Sequence, residues 1–270
     1  MGCWEIMGAR HKRRIVPLSS LKQFRADLHV HTVLSPCAEI EMIPPFIVES
    51  ALEMGITLIA ITDHNASGNI QAVQKAAQGT DLIVLPGMEL QTKEDVHVLC
   101  LFDTLDQIDK FQVIVDNNLP GMKNKPSFFG HQLIVDETGS YLGTEDRLLI
   151  TSTFLSIDTV FAEVELLGGL MIPAHINRKI NGLIEILGFV PTEISITALE
   201  ISRHISPQEA YQAYPQIKDY PLIQSGDVHR LNEFLGTTIL NIETASIAEI
   251  RWALSQKEGR SFHISKSLNL

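Results

Sequence analysis

Two pairs of potential metal ligands stand out in this chain, each with its members two residues apart. His29 and His31 lie in the segment ADLHVHT, and Asp227 and His229 lie in SGDVHR. In an extended strand, residues two apart point to the same face, so each pair would present two ligands to one side. Imidazole and carboxylate groups bind Zn²⁺, Mn²⁺ or Fe²⁺. The spacing predicts metal binding, although each pair alone also fits half-buried residues with ordinary hydrogen bonds.

Further candidate ligands lie between these two pairs, after or within apolar segments. His64 follows the apolar segment LIAIT. The neighbouring Asp63 is predicted to orient a metal-binding imidazole without binding the metal itself. Glu89 follows a Pro-Gly step, His97 lies in VHVLCLF, and His175 follows IPA. Taken singly, Glu89 also fits a solvated loop residue, and His97 fits a hydrogen-bonded core histidine. Because six of the ten histidines occupy such positions, chance is a poor explanation for the set.

Short apolar strands alternate with helices along most of the chain. Strands are predicted at 26–31, 56–62, 82–85, 96–102, 169–174, 198–202, 221–225 and 237–242. Helices are predicted at 44–55, from the turn at 63–69 through residue 77, and at 105–117, 157–167 and 247–256. This alternation predicts an α/β fold in which a parallel sheet forms a closed or nearly closed barrel. The carboxyl ends of barrel strands form one face, so the candidate ligands are expected to converge there.

Two segments interrupt this pattern. Residues 119–150 contain several Pro and Gly residues and a predicted hairpin, QLIVDETGSYLG, and are interpreted as an insertion that could cover the site as a lid. Residues 1–24 are interpreted as a solvated basic N-terminal extension. Residues 25–270 are predicted to form a single domain.

Composition narrows the possible partners and location. The formal net charge of −11 argues against broad, non-specific nucleic-acid binding, which depends on Lys and Arg meeting phosphates. The three cysteines, Cys3, Cys37 and Cys100, are widely spaced and odd in number, which favours a reducing cytoplasm over a disulfide framework. No apolar run reaches the length of a membrane span. Neither membrane association nor an obligate protein partner is expected.

Four motifs in this order resemble the polymerase and histidinol phosphatase (PHP) domain family. They are DLHVHT from Asp27, TDHN at 62–65, the segment with Glu89 and His97 followed by PAH at 173–175, and GDVH ending at His229. The resemblance implies a distorted (β/α)7 TIM-like barrel and two or three divalent ions of Mn, Fe or Zn. By position, it implies a first ion held by His29, His31, Glu89 and Asp227, a second by Glu89, His97 and His175, and a third by His64 and His229. At the position of an additional third-site ligand, only Cys37 is available, and it fits either a thiolate ligand or an ordinary buried thiol.

The resemblance also implies a stand-alone metal-dependent phosphoesterase. The expected substrate is a small phosphomonoester (a nucleotide, a nucleoside bisphosphate or a phosphorylated metabolite), hydrolysed by metal-activated water. Glu89 would bridge two ions, and Asp227 or His229 would assist proton transfer. Three alternatives stay open: an exonuclease acting on short oligonucleotides, a metal-binding accessory domain without turnover, and amide or deamination chemistry on the same metals.

Arginines after the predicted strands distinguish these alternatives. Arg178, Arg203 and Arg230 are predicted to bind phosphate, and phosphate chemistry is favoured if they face the metals. His204, beside Arg203, is expected to reach the same pocket. The remaining histidines, His11, His131 and His263, are expected to be ordinary.

Overall fold

The computed structural model describes residues 20–265, which fold into strands and helices of the α/β class. The strands are β1 Lys22–Val30, β2 Leu58–Ile61, β3 Ile83–Gln91, β4 His97–Leu101, β5 Leu133–Val135, β6 Tyr141–Thr144, β7 Leu170–Pro173, β8 Leu199–Ile201, β9 Leu222–Gln224, β10 Thr238–Ile242 and β11 Ser261–Ile264. The helices are α1 Pro44–Glu53, α2 Ile70–Ala76, α3 Leu105–Asp116, α4 Pro126–Phe129, α5 Ile157–Leu166, α6 Leu183–Leu187, α7 Pro207–Ala213 and α8 Ile247–Leu254. The predicted α/β class is confirmed.

Seven strands form one curled sheet in the order β11-β10-β1-β2-β3-β4-β7. Strands β1, β2 and β3 run parallel, whereas β3–β4, β4–β7, β1–β10 and β10–β11 pair antiparallel. The prediction of a parallel sheet was wrong at these four pairs. Only residues 92–96 separate β3 from β4. A parallel crossover needs a dozen residues or more, so these two strands must form a hairpin.

The remaining barrel-like strands, β8 and β9, form a separate parallel pair. The backbone N–H of Ile176, just after β7, donates to Glu200 O at 2.9 Å. On the other side, the Thr238 hydroxyl donates to Gln224 O at 2.8 Å. The pair therefore lies between the two edges of the curled sheet. A TIM-like, half-barrel arrangement is observed, but a count of seven β/α units is not established.

The central sheet is buried on both faces, which explains the continuous apolar runs in its strands. In β2, Leu58 and Ala60 pack in one apolar cluster, and Ile59 and Ile61 pack in the other. Alternate residues of a strand point to opposite faces, so one cluster fills the inside of the curled sheet and the other lies under the helices. No helix within residues 20–265 is both long and apolar enough to cross a membrane.

The insertion packs on the loop that follows β1. Its predicted hairpin is present as β5 and β6, and the Leu133 N–H donates to Val33 O at 2.9 Å. Gly130 has φ 102°, and a Cβ at this position would lie 2.0 Å from Pro36 O. Only glycine fits so close an approach in this backbone conformation. The insertion is thus held against residues 33–36, beside the HxH segment.

Several boundaries differ from the predictions. β1 begins at Lys22 and pairs with Ile242, so residues 22–24 belong to the sheet rather than to the predicted extension. β3 continues through Pro86-Gly87 to Gln91, because its second half pairs with β4. The elements α4, α6, α7 and β11 were not predicted. Residues 1–19 of the predicted extension, with Cys3 and His11, lie outside the described residues.

Candidate metal centre

The structure brings all eight predicted metal ligands together at one end of the curled sheet. Adjacent imidazole centroids are 4.1 Å apart for His31–His229, 4.6 Å for His31–His64 and 5.3 Å for His97–His175. The antiparallel direction of β4 places its first residue beside the end of β7, where Val98 pairs with Pro173. The ligands lie in or just after strands: His29, His31, His64, Glu89, His97, His175, Asp227 and His229.

Four ligand residues are spaced as a single ion would require. His29 Nε2 lies 3.3 Å from both Glu89 Oε1 and Asp227 Oδ1, and His31 Nε2 lies 3.4 Å from Glu89 Oε2 and Asp227 Oδ1. Tetrahedral ligands at about 2.0–2.1 Å from Zn²⁺ are about 3.3–3.4 Å from one another. Both Nε2 atoms, Glu89 Oε2 and Asp227 Oδ1 are buried without a hydrogen-bond partner. A bound cation satisfies this set of atoms.

The hydrogen bonds behind the first pair of histidines direct their Nε2 atoms into the site. His29 Nδ1 lies 2.9 Å from Glu200 Oε2, a carboxylate that accepts, so this nitrogen carries the proton. The Ser35 hydroxyl donates to Asp63 at 2.6 Å and therefore accepts from His31 Nδ1 at 2.9 Å. In both residues, Nε2 is therefore the nitrogen that faces the site and is available to a metal ion.

Glu200 is a functional residue that the sequence reasoning missed. It lies in β8, is 1% exposed, and accepts from the His175 N–H at 3.0 Å as well as from His29. Asp63 acts differently from the prediction, because it contacts Thr32 and Ser35 and reaches His31 only through Ser35. The signal for Glu200 was a single acidic residue within the apolar segment ALEIS.

Glu89 lies at the centre of the remaining ligands. Its Oε1 is 2.8 Å from His97 Nδ1 and 2.9 Å from His175 Nε2, and its Oε2 is 2.9 Å from His64 Nδ1. Glu89 is part of β3 rather than of a loop after the strand, and it is 1% exposed. His64 therefore approaches Glu89 in addition to lying beside His229. A carboxylate with both oxygens facing imidazoles has the arrangement of a bridging ligand.

Charges in the cluster shift several pKa values. Burial raises the pKa of Glu89, but the nearby imidazoles of His97 and His29 outweigh burial and hold it well below its ordinary value. Burial lowers the pKa of His29, whereas Glu200 and Glu89 raise it, and the net shift is well upward. Glu89 is therefore ionised at neutral pH, which is the form that binds cations.

Two ligands adopt left-handed backbone conformations. His175 has φ 27° and Asp227 has φ 50°. Such conformations are uncommon for residues other than glycine and are often found at functional sites. They turn the side chains at the ends of β7 and β9 back toward the cluster.

The three predicted phosphate-binding arginines line one cavity of about 360 Å³ above the cluster. Arg178 pairs with Asp227 Oδ2, and Arg203 donates to Glu233 O at 3.0 Å. Arg230 is more exposed and pairs with Glu39 at 3.0 Å. The same cavity is lined by Cys37, Ser202, His204, Gly226, Asp227, His229 and Glu233. His131 lines a different cavity, and His263 lies in β11.

A known protein family matches the part of the chain that carries the ligands from His29 to His97. The PHP domain family model matches residues 27–153. The ligands His175, Asp227 and His229 lie beyond this segment, but the fold brings them to the PHP ligands. The match to the PHP domain model and the buried cluster together indicate divalent-metal binding. A search of curated proteins found no match.

Solved structures share the fold at low sequence identity. The lesion-specific endonuclease PfuEndoQ from Pyrococcus furiosus has a TM-score of 0.69 and 19% identity, covering 89% of this chain and 58% of that chain. A complex of endonuclease Q with a 27-mer duplex that carries an abasic lesion at the active site has a TM-score of 0.64 and 18% identity, with the same coverages. A two-domain protein from Bacteroides vulgatus containing a predicted PHP-like metal-dependent phosphoesterase has a TM-score of 0.55 and 15% identity, covering 96% and 70%. This chain thus spans 58% of the length of the endonuclease Q chains.

Proposed function

We propose that this protein is a metal-dependent phosphoesterase that hydrolyses a small phosphomonoester, such as a nucleotide, a nucleoside bisphosphate or a phosphorylated metabolite. The observation that carries the proposal is the placement of three arginines around one cavity that is also lined by two of the ligands, Asp227 and His229. A phosphoryl group needs both cationic partners and nearby metal ions, because its oxygens carry negative charge. Amide or deamination chemistry would not need the arginines.

We assign His29, His31, Glu89 and Asp227 to one ion, and Glu89 with His97 and His175 to a second. These residues fit divalent ions of Mn, Fe or Zn, since imidazole and carboxylate ligands suit all three. When bound, such ions supply Lewis acidity and activate water for attack on phosphorus. Glu89 is almost fully buried, so it acts on the metals and not on the substrate.

Proton transfer and substrate binding are assigned to the exposed side chains around the cavity. The side chains of Asp227 and His229 are 19% and 20% exposed and line the cavity. His229 Nδ1 lies 2.9 Å from Asp227 O, a carbonyl that can only accept, so Nδ1 carries the proton and Nε2 has the lone pair that would take up a proton. Arg178 and Arg203 would bind the phosphoryl oxygens, and Arg230 would bind a more distant anionic part of the substrate.

The neighbouring endonuclease Q structures favour one second candidate, cleavage of a nucleic-acid backbone. Endonuclease Q acts on duplex DNA with a lesion. The net charge of −11 disfavours long nucleic acid but is compatible with a short oligonucleotide or a single local site. The metal assignments are the same for both candidates, so the substrate decides between them.

A phosphate-release screen with Mn²⁺ tests the proposal. The substrates are nucleotides, nucleoside bisphosphates, sugar phosphates and short oligonucleotides, with a 27-mer abasic duplex scored for strand cleavage. The double variant His29→Ala, Asp227→Asn is expected to lose all release. The matched control His131→Ala, Asp146→Asn changes the same residue types at a separate cavity and is expected to keep activity. Activity that survives in the first variant would refute the proposed site, and cleavage of the duplex alone would favour the second candidate.

A further inference from the structure

Ser202 directly follows β8 and lines the same cavity as the three arginines, Arg178, Arg203 and Arg230. Only 8% of the residue is exposed, so its hydroxyl has little contact with bulk water. Ser202 is not one of the proposed metal ligands. A buried hydroxyl needs hydrogen-bond partners, and those of Ser202 determine what it can offer to a molecule in the cavity.

The Asn177 side chain fixes the role of the Ser202 hydroxyl oxygen. The backbone N–H of Ser202 donates to Asn177 Oδ1 at 2.8 Å, and an N–H can only donate. The amide oxygen of Asn177 therefore faces this N–H, and its Nδ2, which can only donate, lies 2.9 Å from Ser202 Oγ. The Ser202 hydroxyl oxygen accepts this bond.

A second donor occupies the other lone pair of Ser202 Oγ. The backbone N–H of His204 donates to it at 3.4 Å. A serine hydroxyl has two lone pairs and one proton, so only the proton is left. Among residues 20–265, none accepts this proton. Because Ser202 lines the cavity, the proton is available to an acceptor bound there.

The backbone that carries Ser202 is held by Gln224. Gln224 Nε2 donates to Ser202 O at 3.0 Å and to Ile205 O at 2.9 Å. Gln224 belongs to β9, and Asn177 follows β7, so the loop after β8 is fixed to the strands on both of its sides. A donor that is already fixed in position loses little conformational freedom when it binds its acceptor.

We propose that the Ser202 hydroxyl donates a hydrogen bond to a phosphoryl oxygen of the substrate, and that Asn177 is the positioning residue that directs this hydroxyl toward the cavity. Arg178 and Arg203 line the same cavity and attract an anionic acceptor. The serine adds a neutral donor of fixed direction to these mobile cations. The inference rests on the proposed function, because it adds a contact to the same phosphoryl group.

Binding of inorganic phosphate to the Mn²⁺-loaded protein measures this contact without requiring turnover. Calorimetry compares the wild type, Ser202→Ala and the control Ser67→Ala, which removes a serine hydroxyl at a separate cavity. A hydrogen bond to a charged group is strong enough that Ser202→Ala should weaken phosphate binding about tenfold. Mn²⁺ affinity should stay within twofold of the wild type, and Ser67→Ala should match the wild type in both measurements.

Asn177→Asp tests the direction of the hydroxyl. One aspartate oxygen still accepts from the Ser202 N–H, but the second now accepts the Ser202 hydroxyl proton, so the hydroxyl turns away from the cavity. Phosphate binding should weaken at least as much as in Ser202→Ala. The added charge weakens it too, and the double variant separates the two effects. With no hydroxyl to turn, Ser202→Ala, Asn177→Asp should bind phosphate no more weakly than Asn177→Asp alone.

Three results would overturn the inference. They are phosphate affinity within twofold of the wild type in Ser202→Ala, an equal loss of Mn²⁺ affinity in that variant, and a double variant in which the two single losses multiply. Any of these in a protein whose wild type binds phosphate and hydrolyses a phosphomonoester leaves the proposed function intact. A wild type that binds phosphate but hydrolyses no substrate would refute the proposed function alone, and one that binds no phosphate would refute both.

Discussion

Replacing Glu200 with alanine is expected to weaken metal binding without removing a metal ligand. Glu200 Oε2 accepts from His29 Nδ1 at 2.9 Å and from the His175 N–H at 3.0 Å. The first bond fixes the tautomer and ring orientation of His29, and the second holds the backbone that carries His175. Glu200 thus positions two residues that we propose bind different ions, and it is not itself among the proposed ligands.

The size of the effect follows from these two bonds. A hydrogen bond to a charged group contributes about 1.5–3 kcal/mol. If about 1.4–2.7 kcal/mol of this is lost from metal binding, affinity falls about 10–100-fold, which is the usual range for such supporting residues. The unpaired His175 N–H adds about 1–3 kcal/mol of lost folding stability, because a buried donor without a partner is unfavourable.

Metal-competition calorimetry on Glu200→Ala and Glu200→Gln measures this effect. The glutamine amide oxygen can accept both bonds but carries no charge, so we expect a smaller loss of affinity and nearly full stability. Glu185→Ala serves as the control, since Glu185 is exposed and contacts Tyr214 instead of the cluster. Metal affinity within twofold of the wild type in a folded Glu200→Ala protein would refute this role.

Two further predictions concern other hydrogen-bonded pairs. Ser35→Ala removes the acceptor of His31 Nδ1 and one donor to Asp63, and should lower metal affinity by about tenfold in the same assay. Glu249→Ala leaves the buried Arg260 without its two closest carboxylate bonds and should reduce the free energy of unfolding by about 3 kcal/mol in urea titrations. Burial raises the pKa of Glu249, but its bonds with Arg260 outweigh burial and lower it below 4.5. This stabilisation is therefore present above pH 4.5 and is lost as the pH falls through the pKa of Glu249 in the folded protein. A Glu249→Ala variant with the same acid unfolding profile as the wild type would contradict this prediction.

The ligands could be predicted from the sequence because residues alternate between the two faces of a strand, and polar residues stand out beside apolar strands. His29 and His31 share a face through simple alternation, and His64 is a polar residue directly after an apolar strand that has no other use for it. For these three residues, convergence required only that the carboxyl ends of neighbouring parallel strands meet at one edge, whereas His97 reaches the cluster from the first residue of the antiparallel β4. Glu89 was identified as a candidate even though its predicted place after a strand was wrong, since the residue type carried the inference.

Strand direction was harder to predict, and the reason is local. The alternation of strands and helices suggested parallel neighbours throughout, but the loop at 92–96 is too short for a crossover, and its length was readable from the sequence. α7 also had a readable start, since Ser206 and Glu209 form a capping box at its first turn. The antiparallel pairing of β10 with β1 had no such local signal, because it joins residues about two hundred positions apart.

Residues that orient the metal ligands could be located from the sequence, but their roles could not be assigned from it. In β8, Leu199 and Ile201 pack under the helices, and Ala198 packs inside the curled sheet. By alternation, Glu200 must point inside as well, where an unpaired carboxylate is too unfavourable to persist. The sequence therefore requires a partner for Glu200, but only the neighbouring positions of β1, β7 and β8 in space reveal that the partner is a metal-binding imidazole. A substitution of Glu200 therefore tests the spatial arrangement of the site more stringently than a substitution of a ligand does. Its effect on metal affinity depends on where the fold places Glu200, since Glu200 is not itself a proposed ligand.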